Sequence, residues 1–448
     1  MIRNDIGSKM HIAEYKKNNL TRILNSVRKI SNIENLPTED RYLWQLKAID
    51  KVVSFSRTRS AFWRERTKNY ICGDISTFTN IPILNRFDVR RQIEEEKSLV
   101  NPIQDNVPVF LHQTGGSSGN SLTFFVTANN SSFNDLRGFA QSVIESRDIS
   151  RDRMNSIIEK GNFGDIGFKV INQSNWGGHF QNFLTGKSII FKMYSNFDSN
   201  KYIENLNGTG INGYFSSNPR SSRAIAGALA SGAINLSNLN MYCFVNRGDK
   251  INPIIKTCLK ECNIPLKSTY SCEEIGPIGF SCPLNSDLYH VASTNVMVEG
   301  EEMLGIDAQR LIVTGLNSFA TPFIRYDIGD VGQIKEGCDC GWRGQVISNL
   351  QGRRTRAVRL IDGSLRFCLL EATDFADLHL EDMRIRQYEY GKLDVEYVRT
   401  RNLSPKEKRE VYSRIYESIS ADIDVNIDKL DQIHWGSAYK RHFFRCEI

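Results

Sequence analysis

The sequence is most easily read first through what it lacks. No run of about 18 apolar residues occurs, so no segment is long and apolar enough for a membrane-spanning helix. The opening stretch MIRNDIGSKMHIAEYKKNNL has no apolar core of a secretory signal, and a cytoplasmic protein with no membrane partner is expected. Strong charge bias is also missing: 57 basic against 51 acidic residues leave a net charge of +6 over 448 residues. The basic concentrations RTRSAFWRERTK and GRRTRAVR are less dense than a nucleic-acid face with interleaved aromatics, so no nucleic-acid partner is expected. There is no internal repeat and no low-complexity tract, which excludes a solenoid. The glycine-rich run at 114–119 fits neither GxxxxGK[ST] nor a Rossmann-type GxGxxG, so neither of the two commonest glycine-rich nucleotide signatures is found there.

What is present is a soluble globular composition, 40% hydrophobic and 24% charged. A chain this long exceeds one compact core, so more than one domain is expected. In a reducing compartment the ten cysteines serve as thiols or metal ligands, not as a disulfide framework. Residues 10–70 have helical spacing, with a helix start at Leu36-Pro37-Thr38-Glu39. After IPIL (81–84), Asn85 is placed to cap a further helix. SIIFKMY, INGYFSS, LNMYCFV and LKSTYS read as strands; SSRAIAGALASG and INPIIKTCLKECN read as helices between them. That alternation predicts an α/β fold with layered sheets and much parallel pairing. From about residue 285 short strands dominate, a β-rich subdomain on the same core. Then LDVEYVRT, the Ser404-capped SPKEKREVYSRIYESIS and DVNIDKLDQIHW predict a small α+β C-terminal domain. The seam is expected near residue 352, dividing the chain into 1–352 and 353–448.

Residues 113–121, QTGGSSGNS, lie between the apolar VPVFLH and the strand-like LTFFVT. Glycines permit backbone N–H groups to converge on an anion, and hydroxyls add donors. A phosphate cradle and a plain hairpin tip are both open on this stretch alone. Further along come YSCEEIG (270–276), LIVTGLNSFATPFIRYDIGD (311–330), GRRTR (352–356) and YKRHFF (439–444). In this order and spacing the stretches resemble those of the adenylate-forming enzymes, the acyl-CoA synthetases and adenylation domains, with the phenylacetate–coenzyme A ligase-like branch the nearest match.

The resemblance implies a large N-terminal domain and a small mobile C-terminal one. It also implies ATP-dependent activation of a carboxylic acid, aromatic or small, to an acyl-adenylate with loss of pyrophosphate. Transfer to coenzyme A, a carrier-protein thiol or an amine follows. It places the β- and γ-phosphates of ATP at Thr114, Gly115, Gly116, Ser117, Ser118 and Gly119, and Mg²⁺ at Glu274, where a hard cation finds carboxylate oxygen. By the same resemblance adenine packs on Tyr270, the ribose diol on Asp330, and Arg353 lies near ribose and phosphate at the hinge. Lys440 is the catalytic lysine, reaching the α-phosphate and the attacking carboxylate. The acid pocket is expected near Tyr214, Phe215 and Gly276, and the branch often forms homodimers. The sequence departs from the family at Asn120-Ser121, where Lys-Pro is usual, at Thr355 for a hinge aspartate, at Glu273 for Thr or Ser, and at Tyr439 for glycine. Two alternatives stay open: an adenylyl transferase that stops at an AMP-linked product, and, motivated by Tyr439, Thr355 and the absent Lys-Pro, a nucleotide-binding partner or scaffold that has lost catalysis.

Separately, Cys282, His290, Cys338 and Cys340 offer three thiolates and one imidazole. That donor set suits a tetrahedral structural zinc site with no open position. Some members of the resembled branch carry a zinc centre in this region. Adenylation requires no enzyme thiol, so Cys272 within YSCEEIG is given no nucleophilic role.

Overall fold

The computed structural model describes residues 25–96, 109–114, 122–144, 153–159, 168–173, 188–193, 199–209, 213–217, 219–247, 251–303, 308–353, 357–368, 370, 372–434 and 443–448. Helix α1 (25–34) leads into α2 (Thr38–Arg59), which starts after Pro37 as the sequence predicts. The buried positions of α2 are Arg41, Gln45, Leu46, Ile49, Val52, Val53 and Ser56, spaced to form one face. That face is fastened as well as packed. Gln45 donates to the carbonyls of Ser293 and Val296 at 3.1 and 2.9 Å, and Arg41 meets Glu336 at 2.5 Å. Short helices α3 (Ala61–Arg66) and α4 (Ile75–Thr79) follow, capped by Ser60 and Asp74. Leu84 then forms a parallel bridge with Tyr326. Helix α5 (Arg86–Glu96) begins two residues later. Asn85 caps it: Asp88 N–H donates to the Asn85 side chain at 2.9 Å, and Asn85 N–H donates to the Asp88 carboxylate at 3.3 Å.

Strands β1 (Val109–Gln113) and β2 (Thr123–Thr127) form an antiparallel hairpin in which Gln113 faces Thr123, and α6 (Ala128–Ile144) follows. The main sheet contains β3 (Arg153–Glu159), β4 (Phe168–Gln173), β5 (Ser188–Met193), β6 (Gly213–Ser217), β7 (Met241–Arg247) and β8 (Leu266–Cys272). It continues through β9 (Gly276–Ser281), β10 (Tyr289–Val291), β11 (Val296–Glu302), β12 (Gln309–Gly315), β13 (Tyr326–Glu336) and β14 (Gln345–Arg353). Their spatial order is β11-β12-β13-β14-β10-β9-β8-β7-β6-β3-β5-β4. The set β5-β3-β6-β7-β8 is parallel. Helices α7 (Ser199–Thr209), α8 (Pro219–Ala230) and α9 (Pro253–Glu261) contribute to a core with Phe215, Met241 and Phe244. The β-rich stretch after residue 285 is hydrogen-bonded edge-on to this parallel set through β9, β10 and β14, so the two share one sheet.

The C-terminal part is a smaller unit with its own core. Hairpin β15 (Ala357–Arg359) and β16 (Leu365–Phe367) precedes a four-stranded sheet. That sheet comprises β17 (Asp382–Glu389), β18 (Lys392–Val398), β19 (Asp424–Leu430) and β20 (Phe444–Cys446), in the order β19-β18-β17-β20. Helix α10 (Pro405–Ser418) opens on the expected cap as a full capping box with Ser404 and Glu407. Val358, Met383, Ile385, Val411, Ile415 and Phe444 belong to the core of this unit. The architecture is therefore a large α/β domain followed by a small α+β domain. Among the described residues no helix is long and apolar enough to cross a membrane.

One ion pair is buried where the helices meet the sheet. Arg137 of α6 donates through Nε and Nη2 to the two oxygens of Glu34, at 3.0 and 2.7 Å, and both side chains are almost fully enclosed. Thr294 adds its hydroxyl at 2.8 Å and its N–H at 3.3 Å to the same carboxylate. Breaking such a pair leaves a buried charge without a partner, so Glu34→Ala should lose about 3–5 kcal/mol of stability. Urea unfolding followed by tryptophan fluorescence measures this; a midpoint equal to that of the wild type would show that the pair does not hold the helices.

Candidate functional site

Parallel sheets bind ligands beyond the carboxyl ends of their strands, and β8 is the last strand of the parallel set. It ends at Cys272, and Glu273 and Glu274 form the turn into β9. Gly276 opens β9 with φ +89°, a conformation that side-chain-bearing residues rarely adopt. A Cβ there would also stand 2.5 Å from the side chain of Asn134 on α6. Glycine at this position thus lets α6 approach the turn that carries Glu274.

Four expected residues are brought to this end of the sheet. Tyr270 of β8 is buried except for 9% of its surface, and its hydroxyl donates to Asp330 of β13 at 2.7 Å. Asp330 stands directly opposite Arg353 in the β13–β14 register. Glu274 is 7% exposed, and its Oε1 accepts from the Tyr326 hydroxyl at 3.3 Å. Two acidic groups and a phenol are thereby held by partners on β8 and β13, and carboxylate oxygen is the donor type that suits a ribose diol or a hard cation. Thr114 lies at the neck of the glycine loop. Its N–H donates to the Leu122 carbonyl at 2.8 Å, and its hydroxyl oxygen accepts from Leu122 N–H at 2.8 Å.

Gly115, Gly116, Ser117, Ser118, Gly119 and Lys440 lie outside the described residues, as do Asn120, Thr355 and Tyr439. Tyr214 is on β6, in register with Cys243 of β7. Phe215 is fully buried against Phe244, ring centroids 5.4 Å apart, and belongs to the core beneath the helices. Two residues at the site were not foreseen. Tyr326 lies within the quoted RYDIGD run, and its neighbours drew attention away from it. Arg86 follows IPILN: its Nη2 donates to Thr114 Oγ1 at 2.7 Å, and its Nη1 is 3.7 Å from Glu274. The available signal was a cation placed at a helix start just after a short β-bridging segment.

A second cluster lies at the β9–β10 and β13–β14 turns. The ligand atoms of Cys282, His290, Cys338 and Cys340 all fall within 4.8 Å of one another. The Cys282 and Cys338 sulfurs are 3.6 Å apart, and Cys340 Sγ is 3.4 Å from His290 Nε2. Tetrahedral zinc with Zn–S near 2.3 Å separates its donors by roughly 3.8 Å, so this donor set fits that ion. Leu284 N–H points at Cys282 Sγ at 3.4 Å, and Gly341 at φ +91° permits the tight Cys338–Trp342 turn. Burial pushes the Cys340 thiol up to about 11. Burial also acts to raise Cys338, but the Cys340 N–H and neighbouring thiols outweigh it and hold that thiol low. Trp342 stacks on the His290 ring with centroids 4.7 Å apart.

No protein-family model and no curated protein matches the sequence. The fold does match solved structures. A 2-hydroxyisobutyryl-CoA ligase in the postadenylation state with 2-HIB-AMP superposes with TM-score 0.69 at 12% identity, covering 93% of this chain and 92% of the other. The same ligase with 2-HIB-AMP and CoA in the thioesterification state gives 0.58 at 13% identity over 93% and 92%. An o-succinylbenzoate coenzyme A synthetase from Bacillus subtilis with ATP and magnesium gives 0.50 at 13% identity over 74% and 68%. The chain therefore has the fold of the adenylate-forming enzymes.

Replacing Gly276 imposes a positive φ on a side-chain-bearing residue and a contact with Asn134. Gly276→Ala should cost about 1–3 kcal/mol, read as a fall in melting temperature. An unshifted melt would mean that α6 and the Glu274 turn are not in close contact.

Proposed function

We propose that this protein is an ATP-dependent acid ligase that converts a small or aromatic carboxylic acid to its acyl-adenylate and then to a thioester of coenzyme A. One convergence carries this reading: Tyr270, Asp330 and Glu274 meet at the carboxyl end of the parallel strands, in a chain with an acyl-CoA-ligase fold. In this reading the substrate carboxylate attacks the α-phosphorus of ATP. A P–O bond forms as the bond to pyrophosphate breaks, giving acyl-AMP.

Each residue then has a physical task. Tyr270 offers an aromatic face to adenine, and its bond to Asp330 fixes the carboxylate that accepts from the ribose hydroxyls. Glu274 would hold Mg²⁺, which supplies charge neutralisation at the phosphate oxygens. The glycine loop contributes N–H groups and hydroxyls to the β- and γ-phosphates. Lys440 brings its ammonium to the α-phosphate and the attacking carboxylate, where charge is redistributed in the transition state. Thioester formation follows when the coenzyme A thiolate attacks the acyl carbon and AMP leaves. The relatives support coenzyme A as acceptor: the 2-hydroxyisobutyryl-CoA ligase was captured with both 2-HIB-AMP and CoA. We place the domain boundary between residues 352 and 353; the separate core from Val358 onward supports it. The cysteine–histidine cluster is read as structural zinc, with all four positions filled by protein.

The decisive assay is acid-dependent exchange of labelled pyrophosphate into ATP, screened across small and aromatic acids. Exchange with at least one acid is expected. ATP binding without exchange for any acid would favour a non-catalytic nucleotide-binding protein, and exchange without thiol-dependent AMP release would favour an adenylyl transferase. Lys440→Ala should reduce exchange by about a hundredfold or more while the melting curve is kept; undiminished exchange would remove Lys440 from the mechanism. The purified protein should contain one equivalent of zinc, and a strong chelator should lower its melting temperature. Metal analysis finding no zinc would overturn that assignment.

A further inference from the structure

The stretch from Thr114 to Leu122, TGGSSGNSL, contains no lysine or arginine. A loop of this composition can offer N–H groups and hydroxyls to a polyphosphate but no fixed positive charge. The fold brings one to its neck. Arg86 Nη2 donates to Thr114 Oγ1 at 2.7 Å, while Nη1 lies 3.7 Å from Glu274 Oε1. The guanidinium thus stands between Thr114 and the Glu274 carboxylate, and its side chain keeps 27% of its surface exposed.

Its position is rigidly set. Leu84 N–H donates to the Arg325 carbonyl at 2.8 Å, and Asp327 N–H donates to the Leu84 carbonyl at 2.8 Å. Those two bonds bracket Tyr326, the residue whose hydroxyl donates to Glu274. Asn85 then starts α5 with its reciprocal cap, so Arg86 enters the first helical turn with a defined direction. The helix N-terminus adds a favourable field for an anion. Guanidinium is well matched to phosphate because its fork gives two parallel, charge-assisted bonds.

We infer that Arg86 is the cation that binds the terminal phosphates of ATP, doing from a neighbouring helix what the loop has no residue to do. This rests on the adenylation reading above and adds a binding residue to it. When the nucleotide enters, Arg86 turns from Glu274 to the β- and γ-phosphate oxygens, and Glu274 becomes available for the cation that accompanies ATP. Thr114 keeps its bond to the guanidinium throughout.

The test compares affinities for ATP, inorganic pyrophosphate and AMP, by calorimetry, in the full-length wild type and in Arg86→Ala, Arg86→Gln and Arg86→Lys. AMP lacks the terminal phosphates, so its binding should be little changed in every variant. ATP and pyrophosphate should bind about tenfold to a hundredfold more weakly in Arg86→Ala and Arg86→Gln, the range for a lost bond to a charged group. Arg86→Lys should recover much of that loss through its charge. Arg86→Gln retains a donor for Thr114, which keeps the comparison valid should the alanine variant unfold. Equal weakening for ATP and AMP would show a purely structural role, and unchanged ATP affinity in Arg86→Gln would show that the charge is not used; either overturns the inference. Wild-type protein that binds neither ATP nor AMP would overturn the adenylation reading as well, which is distinguishable from failure at Arg86 alone.

Discussion

The enclosed pair between Glu34 and Arg137 sets the terms for much of the large domain. Two ionised groups removed from water must satisfy one another and find further donors, or the structure gives way. Here the guanidinium forks onto both carboxylate oxygens, and Thr294 supplies two more donors. The three partners come from α1, α6 and the turn between β10 and β11, so a single electrostatic requirement fixes three elements against each other. Gln45 and Arg41 of α2 repeat the principle nearby, binding the sheet through hydrogen bonds as well as apolar contact. Helix α6, once placed, lies against Gly276 and so against the turn that presents Glu274.

From there the site follows by short mechanical links. The Leu84–Tyr326 bridge brings the start of α5 beside β13, and Tyr326 and Arg86 both reach Glu274. On the other side, Tyr270 joins Asp330 across strands that are not neighbours in the sheet. The cysteine–histidine cluster ties the β13–β14 turn to β9 and β10. Sites with side chains held by such second partners keep their geometry better than sites on unsupported loops.

Much of this was legible in the sequence, for identifiable reasons. LNMYCFV stands out because its apolar run suits a strand buried within a parallel set, while INGYFSS and LKSTYS read as strands from their aromatic, Ile and Thr residues. Ser404 and Asn85 announce their helices because capping is local chemistry, and both caps are present. The four metal-type ligands could be grouped by donor type, and they do converge. By contrast, α6 begins ANNSSFND, residues that favour turns, and it packs against β2 and β9. Strand β17, DMRIRQYE, alternates arginine with apolar residues; its Arg386 is nevertheless buried, so polarity misleads there. Phe215 could be placed on a strand, but which side of β6 faces the helices is fixed only by the sheet. Arg86 was hidden because its partners, Thr114 and Glu274, are distant along the chain.

The position of β14 also bears on how the protein is made. Among the described residues, β11, β12 and β13 connect to the remainder of the main sheet through β14 alone, although β14 is the last of these strands in the chain. On the ribosome, two partial sheets must therefore wait with open edges until residues 345–353 emerge, an interval in which unpaired strands invite wrong pairings. Tyr270 and Asp330 belong to opposite partial sheets, so their contact forms only when that strand inserts. The Tyr270–Asp330 bond is then completed late in synthesis, by the arrival of a single strand.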